Sequence, residues 1–185
     1  MLDFLIGKVV EVGKDYVDLN VNNVGFKIFT SNLKNYHLND DYTFYVVDVI
    51  KEEEYLLYGF LTSKELKLFN KLMTVNGVGS KTAMALLNNL SVDEIIYLIK
   101  SKNSSELVVI PGVGCRADRI IVELFNKLDD FDNNNFFRYE NVFKALKKIG
   151  YKSIDISHAL NVLPNSLNDS EALKSAIKEI NSYAK

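Results

Sequence analysis

Short stretches rich in β-branched and aromatic residues fill the first third of the chain, separated by Gly, Asn and Asp. In DYVDLNV, apolar and polar residues alternate, so Tyr16 and Asp18 fall on one face of a strand and Val17 and Leu19 on the other. The pattern predicts strands at LIGKVVEV, DYVDLNV, VGFKIFT, YTFYVVDVI and EYLLYGF. Such closely spaced short strands are typical of a small closed barrel such as an OB-fold.

From residue 63 onward the apolar residues follow helical spacing instead of alternation. In SKELKLFNKLM, Leu66, Phe69 and Met73 form one stripe, with Leu72 beside it. TAMALLNNL, SVDEIIYLI and ADRIIVELFNKL also predict helices, and SVDEIIYLI begins with a Ser N-cap and Glu94 three residues later, the signature of a capping box. Beyond residue 138, ENVFKALKKIG, SIDISHALNVL and SEALKSAIKEI predict three short amphipathic helices, the first ended by a glycine.

An internal repeat lies within the helical block. The sequence GVG at residues 77–79 recurs 35 residues later at residues 112–114. After Ala83 the apolar residues fall at +3, +4 and +7, and after Ala117 they fall at the same three positions. The repeat therefore predicts one supersecondary unit, helix–hairpin–helix, used twice.

A Gly-apolar-Gly turn at the start of a helix suggests a binding site for an anion. Glycine permits a positive φ and a close approach of the backbone, while a buried valine anchors the turn. The N–H groups of the turn and first helical turn then point outward at the positive end of the helix dipole, where a phosphate binds well. Lys81 and Arg116 each follow the second glycine of a hairpin by two residues and can add positive charge. The predicted DNA-binding residues are Asn76, Gly77, Val78, Gly79, Ser80, Lys81, Gly112, Val113, Gly114, Cys115 and Arg116.

Phosphate contacts of this kind predict salt-sensitive binding without base specificity. Two ordinary tight turns would be the simplest alternative, but their matched register argues against coincidence. The run GSKT also resembles the end of a P-loop, which needs a glycine directly before the lysine and another five positions earlier. Here Ser80 and Val75 stand at these two positions instead of glycines, so ATP hydrolysis is not predicted.

Charge is distributed unevenly along the chain, whose net charge is −2. Residues 1–62 carry 5 basic and 10 acidic side chains, residues 63–128 carry 9 and 6, and residues 129–185 carry 8 and 8. The middle block is therefore the candidate for binding a polyanion, and the first block should repel one.

Several classes of site and partner are not predicted. Cys115 is the single cysteine, so an internal disulfide is excluded and the reducing cytoplasm is the expected compartment. No cluster of cysteine and histidine indicates a metal site, and no motif indicates a cofactor. No apolar run reaches the ~18 residues of a membrane span, so no membrane partner is expected.

The order of these motifs is similar to one family of helix-hairpin-helix proteins. FLIGKVVEV and VNNVGF open the barrel, EYLLYGF closes it, and NGVGSKTA, PGVG and ALKKIGY follow. Together they resemble the RuvA family of Holliday-junction-binding subunits over nearly the whole chain. The resemblance implies an α+β, multidomain fold. Its parts are an OB-like β-barrel over residues 1–62, a tandem helix-hairpin-helix domain over 63–128, a linker over 129–137 and a small three-helix domain over 138–185.

The resemblance also implies a function. Members of this family bind four-way DNA junctions without sequence specificity, hold them open, and assemble as homotetramers, with an octamer as the other assembly to consider. They are not enzymes themselves but recruit a RuvB-like hexameric ATPase, here through residues 138–185, for branch migration in recombination, repair and the SOS response. A RuvC-like resolvase is a further partner that the resemblance suggests.

An acidic pin is implied at KEEEY, where Glu52 and Glu53 align with the acidic pair of the family. From the residues alone, three carboxylates at a hairpin tip are usually a solvated turn, and the pin rests on the resemblance. Adjacent strand residues point to opposite faces, which disfavours a metal site. Glu54 belongs either to the pin or to the following strand, and Lys51 is a candidate phosphate contact at its base.

The second hairpin departs from the first. Ala83 follows Gly79 by four residues, whereas Ala117 follows Gly114 by only three. The family commonly has two lysines where residues 115–116 are Cys and Arg. We therefore expect phosphate binding at the second hairpin to be weaker or differently aimed.

Two other functional classes stay open from the sequence. One is a DNA repair protein of another helix-hairpin-helix family, although neither the spaced carboxylates of a nuclease nor the four cysteines of an iron–sulfur glycosylase are visible. The other is a protein-interaction adaptor whose DNA binding is incidental.

Overall fold

The computed structural model describes residues 2–51, 54–131, 138–164 and 166–183. Its N-terminal part is a closed barrel in the strand order β1-β2-β3-β5-β4, in which β4 pairs back onto β1 and β3 runs parallel to β5. The strands are β1 Phe4–Val12, β2 Tyr16–Val21, β3 Val24–Phe29, β4 Asp41–Lys51 and β5 Glu54–Phe60. This order and closure confirm the predicted OB-like barrel.

Alternation along the strands places side chains as the sequence predicts. Val17 and Leu19 are fully buried inside the barrel, whereas Tyr16 and Asp18 are only partly covered on its outer face. The bulge between Val9 and Glu11 in β1 adds local curvature to this small barrel.

From residue 63 onward the described chain consists of helices and the short segments that connect them. A 3-10 turn at Gly114–Arg116 leads into the helix Ala117–Leu124, and another at Asp129–Phe131 follows that helix. Phe131 is buried in the same core as the helices between residues 63 and 124. The helices are α1 Ser63–Met73, α2 Ser80–Asn89, α3 Val92–Lys100, α4 Ser104–Val108, α5 Ala117–Leu124, α6 Glu140–Ile149, α7 Ser153–Val162 and α8 Asp169–Tyr183.

The buried face of α1 differs from the predicted stripe. Leu68, Phe69 and Leu72 are fully buried, whereas Leu66 and Met73 are only partly so. The reason is that α1 packs against the barrel as well as against helices. The ring of Phe69 lies 5.1 Å from the ring centroids of both Tyr58 and Phe60 on β5. The buried face thus keeps Phe69 and Leu72 from the predicted pattern and adds Leu68.

The capping box predicted at the start of α3 is half formed. The Ser91 side chain accepts a hydrogen bond from the backbone N–H of Glu94 at 3.2 Å, as expected. The carboxylate of Glu94 instead binds the ammonium group of Lys147 on α6. A complete box forms at α1, where Thr62 and Glu65 bond reciprocally.

The described residues from 138 onward, which carry α6 to α8 and are called the tail below, have their own small core that includes the fully buried Tyr139. The hydroxyl group of Tyr139 donates a hydrogen bond to the carbonyl of Pro164 at 2.5 Å. Gly150 adopts φ +107° and ends α6, which confirms the predicted helix stop. Most of the predicted linker, residues 132–137, lies outside the described residues, as do Glu52 and Glu53 of the predicted pin.

Candidate nucleic-acid interface

The two hairpins share one pattern of backbone hydrogen bonds. The N–H of Val78 donates to the carbonyl of Val75 at 3.0 Å, and the N–H of Val113 donates to that of Ile110 at 3.1 Å. One step earlier, the N–H groups of Val75 and Ile110 each donate to the carbonyl three residues back, at 3.1 and 3.2 Å. The repeat seen in the sequence is therefore also a repeat of backbone conformation.

Both hairpins use a left-handed glycine next to a buried valine. Gly77 has φ +81° and Gly112 has φ +87°, a region that other L-residues adopt at a cost. Val78 and Val113 are buried and anchor the turns in the core. The glycine requirement inferred from the sequence is met at the first glycine of each copy.

The second glycines behave differently in the two copies. Gly79 is extended, with φ −102° and ψ 178°, and is the N-cap of α2. Gly114 instead has φ +47° and opens the 3-10 turn that precedes α5. This tight turn lets the shorter second copy still bury Ala117 at the position equivalent to Ala83. The N–H groups in front of α5 consequently have a different arrangement from those at the start of α2.

Lys81 is the exposed cation of the first hairpin. No described residue forms a hydrogen bond or an ion pair with its ammonium group. Its side chain lines a groove of about 510 Å³ between α2 and the barrel, which Asp15 and Glu54 also line. Glu54 directly follows the predicted pin, so the groove links this end of β5 to the first hairpin.

Arg116 has a structural partner that its sequence position did not suggest. Its Nε donates a hydrogen bond to the carbonyl of Gly77 at 2.8 Å, and Arg119 Nη1 donates to the carbonyl of Asn76 at 3.2 Å. The N–H of Asn76 donates to Glu123 Oε2 at 3.3 Å. The second helix-hairpin-helix unit thus holds the backbone of the first hairpin.

A reciprocal contact runs from the first unit to the second. The hydroxyl group of Thr82 on α2 donates to the carbonyl of Gly112 at 3.1 Å. The sequence prediction missed Thr82, Arg119 and Glu123. Arg119 and Glu123 lie three and seven residues after Arg116, a spacing that places them on one face of the second unit, whereas Thr82 has no such signal in the sequence.

Burial limits how some predicted residues can act. Val78, Val113 and Ser80 are buried, so a phosphate could meet only their backbone groups. Asn76, Cys115 and Arg116 are exposed. Lys81 and Arg116 therefore remain the charged side chains of the predicted set that can reach a ligand.

Within the described ranges, no group of three or more His, Cys, Asp or Glu residues could hold a metal ion. No single helix in the same ranges is long and apolar enough to cross a membrane. The pair α2 and α3 reaches that length and apolarity only together and is bent by 104°.

Comparison with known proteins assigns the chain to a family. A model described as RuvA N terminal domain matches residues 1–59, and one described as SAM-like helix-hairpin-helix tandem matches residues 69–124. A Clostridium acetobutylicum protein, Holliday junction branch migration complex subunit RuvA, is 33% identical over 96% of this chain and 98% of its own length. The chain belongs to the RuvA family. Proteins with the same name from Thermoanaerobacter sp. (33% identical; 97% of this chain and 99% of the relative) and Oenococcus oeni (32%; 85% and 86%) are also similar.

Membership of the RuvA family confirms the resemblance read from the motifs. The first family model covers the barrel, and the second covers both hairpins. The alignments with the Clostridium and Thermoanaerobacter relatives extend over nearly the full chain and so include the tail. This excludes the alternative of a repair protein from another helix-hairpin-helix family.

Proposed function

We propose that this chain binds four-way DNA junctions without sequence specificity, as the DNA-binding subunit of a branch-migration complex. The observation that carries the proposal is the pair of equivalent hairpins, fixed to each other by Arg116, Arg119 and Thr82. Such a pair presents two backbone anion sites at a constant separation, which suits the regular spacing of phosphates along a duplex arm.

The first hairpin is the stronger phosphate site in this proposal. α2 begins directly after Gly79, so its first-turn N–H groups and the exposed ammonium of Lys81 can act on one phosphate. At the second hairpin a 3-10 turn replaces the helix start, and part of the Arg116 guanidinium is engaged by Gly77. Because these groups read the backbone and not base edges, binding is sequence-independent.

Glu52 and Glu53 form the acidic pin in the proposed complex. Strands β4 and β5 remain paired up to Lys51 and Glu54, on either side of these two residues. Negative charge at this place repels phosphates near the crossover and opposes collapse of the arms into a stacked form. The groove that joins Glu54 to Lys81 supports a common DNA-facing surface for the pin and the first hairpin.

The proposed assembly is a homotetramer, with an octamer as the alternative, acting in the cytoplasm. We assign the barrel to residues 1–62, DNA binding to 63–128, the linker to 129–137 and docking of a RuvB-like hexameric ATPase to 138–185. A RuvC-like resolvase is a further proposed partner. The names of the relatives, which describe a subunit of a branch migration complex, support the motor assignment. This subunit contributes DNA binding, and ATP hydrolysis is assigned to the motor.

Mobility shifts with a four-way junction and with linear duplex of the same arm sequence test the proposal. The wild-type chain should prefer the junction. Lys81→Ala should reduce the slope of log K against log salt by about 0.9 for each phosphate that the variant no longer neutralises. Lys174→Ala, which removes an exposed lysine of α8, is the matched control and should keep the wild-type slope. Equal affinity for junction and duplex, together with an unchanged slope for Lys81→Ala, would contradict the proposal and favour the adaptor alternative.

A further inference from the structure

The tail lies against α3, although the sequence predicts a module tethered by a linker. The side-chain amide of Asn161 on α7 donates to Asp93 Oδ2 at 3.0 Å. The hydroxyl groups of Ser157 and Ser91 are hydrogen-bonded at 2.7 Å in a buried position. These contacts join residues more than 60 positions apart in sequence, so they define an interface between two parts of the chain.

Ion pairs form the second part of this interface. Lys147 on α6 pairs with Glu94 on α3 and also with Glu106 Oε2 on α4 at 3.1 Å. At the edge, the Tyr97 hydroxyl donates to Glu140 Oε1 at 2.8 Å. Burial opposes the charge of Lys147, but its hydrogen bonds and charge interactions with Glu94 and Glu106 raise its pKa above the ordinary value. Lys147 therefore stays protonated in the interface.

The carboxylates of α3 are unusual in being buried. Asp93 is 6% exposed and Glu94 is 1% exposed. Asp93 Oδ1 also pairs with Lys64 Nζ of α1 at 2.5 Å, whereas Glu94 pairs with Lys147. The second oxygen of Glu94, Oε2, is buried without a hydrogen-bond partner among the described residues. Glu94 thus depends on the tail for the neutralisation of its charge.

A contact of this composition is suited to opening and closing. Burying an ion pair costs about as much hydration as the attraction returns, so the net stabilisation is small. Polar contacts of this kind are typical of interfaces between domains that move relative to each other. When the tail leaves, the cation and the carboxylate are both hydrated again, so opening leaves no buried charge unpaired.

We propose that α3 is a docking surface for the chain's own tail, and that the Lys147–Glu94 pair is a reversible latch between a docked and an open arrangement. In the docked arrangement Lys147, Ser157 and Asn161 contact α3 and its N-cap Ser91. Ile149 and Val162 of the same two helices remain exposed. The latch therefore controls the distance between the tail and the hairpins, independently of whether the chain binds junctions.

Charge reversal tests the latch. Spin labels on the exposed native Cys115 and on a cysteine introduced at Lys178 of α8 report the separation of the hairpins and the tail. Dilution with unlabelled protein ensures that the measured distances are between two labels on the same chain. Lys147→Glu and Glu94→Lys should each reduce the docked population roughly tenfold or more. The double variant should restore it in part, because Glu106 then faces a like charge.

Two further variants keep the test decisive. Lys148→Glu reverses the charge of an exposed neighbour on the same helix and should leave the distance unchanged. Asn161→Asp places a carboxylate opposite Asp93, needs no change in the buried part of α3, and should open the tail even if Glu94→Lys fails to fold. The proposal is overturned if Lys147→Glu and Asn161→Asp both keep the wild-type distance. It is also overturned if Lys147→Glu and Glu94→Lys each open the tail but the folded double variant does not recover any of the docked population.

Discussion

Replacing the left-handed glycines by alanine should destabilise the hairpins through the backbone alone. A Cβ at Gly77 would lie 3.4 Å from Arg119 Nη1, and one at Gly112 would lie 3.7 Å from the Cβ of Ala85, so neither meets a serious clash. The cost is therefore that of a positive φ, about 1–2 kcal/mol for an L-residue. Loss of unfolded-state freedom offsets roughly 0.4–1 kcal/mol of it. We expect each variant to lose about 1 kcal/mol of unfolding free energy.

Asparagine provides an internal check, because it tolerates the left-handed region better than alanine. Gly112→Asn should lie between the wild type and Gly112→Ala in urea unfolding, and junction affinity should follow the same order. Gly25→Ala is the matched control, because Gly25 has no positive φ and nothing within 4 Å of an added Cβ. If the alanine variants at Gly77 and Gly112 matched the wild type in stability, or if asparagine and alanine were equivalent, the conformational argument would fail.

Four further outcomes are expected. Arg116→Lys keeps the charge but removes the Nε donor to Gly77, so junction affinity should fall while the salt slope stays. Wild-type affinity of this variant would contradict the role of Arg116 in holding the first hairpin. Burial raises the pKa of Glu65 despite its hydrogen bonds with Thr62, so the folded state binds this proton more tightly than the unfolded state does. The free energy of unfolding should therefore increase as pH falls from the raised pKa to the ordinary pKa of a glutamate. Glu65→Gln retains the capping-box geometry and should flatten that part of a stability–pH curve. Changing Glu52 and Glu53 to Gln should raise affinity for duplex and lower the junction-to-duplex ratio of binding constants, and an unchanged ratio with an intact assembly would make KEEEY a solvated turn. Light scattering should give four times the 21.0 kDa chain mass, and a monomer throughout the micromolar range would exclude the tetramer.

Local rules explain why so much of the fold was predictable. Val17 and Leu19 enter the barrel because strand alternation is a property of neighbouring residues. Gly150 ends α6 because a left-handed residue is needed at that one position. The pattern correctly places Phe69 and Leu72 on the buried face of α1, but helical periodicity does not reveal that the aromatic neighbours of Phe69 come from β5.

In the candidate site, too, local features could be predicted from the sequence and long-range contacts could not. The positive φ of Gly77 and Gly112 is encoded within each GVG turn and was inferred correctly. The bond from Arg116 to Gly77 joins residues 39 positions apart, and the sequence predicts for Arg116 only a charge that binds phosphate. A single sequence contains the distance between two such residues along the chain but not their distance in space.

Glu94 shows how a local motif can conceal a long-range contact. The pattern Ser-x-x-Glu predicts a closed capping box, and at Ser91 only the half that uses the serine forms. The carboxylate that should close the box is 1% exposed and pairs with Lys147, 53 positions away. A solvent-exposed carboxylate has little reason to leave a local cap, so a half-formed box with a buried glutamate indicates a competing partner from another part of the fold. In this chain the competitor is the tail, and the incomplete cap of α3 is the local trace of the docking contact.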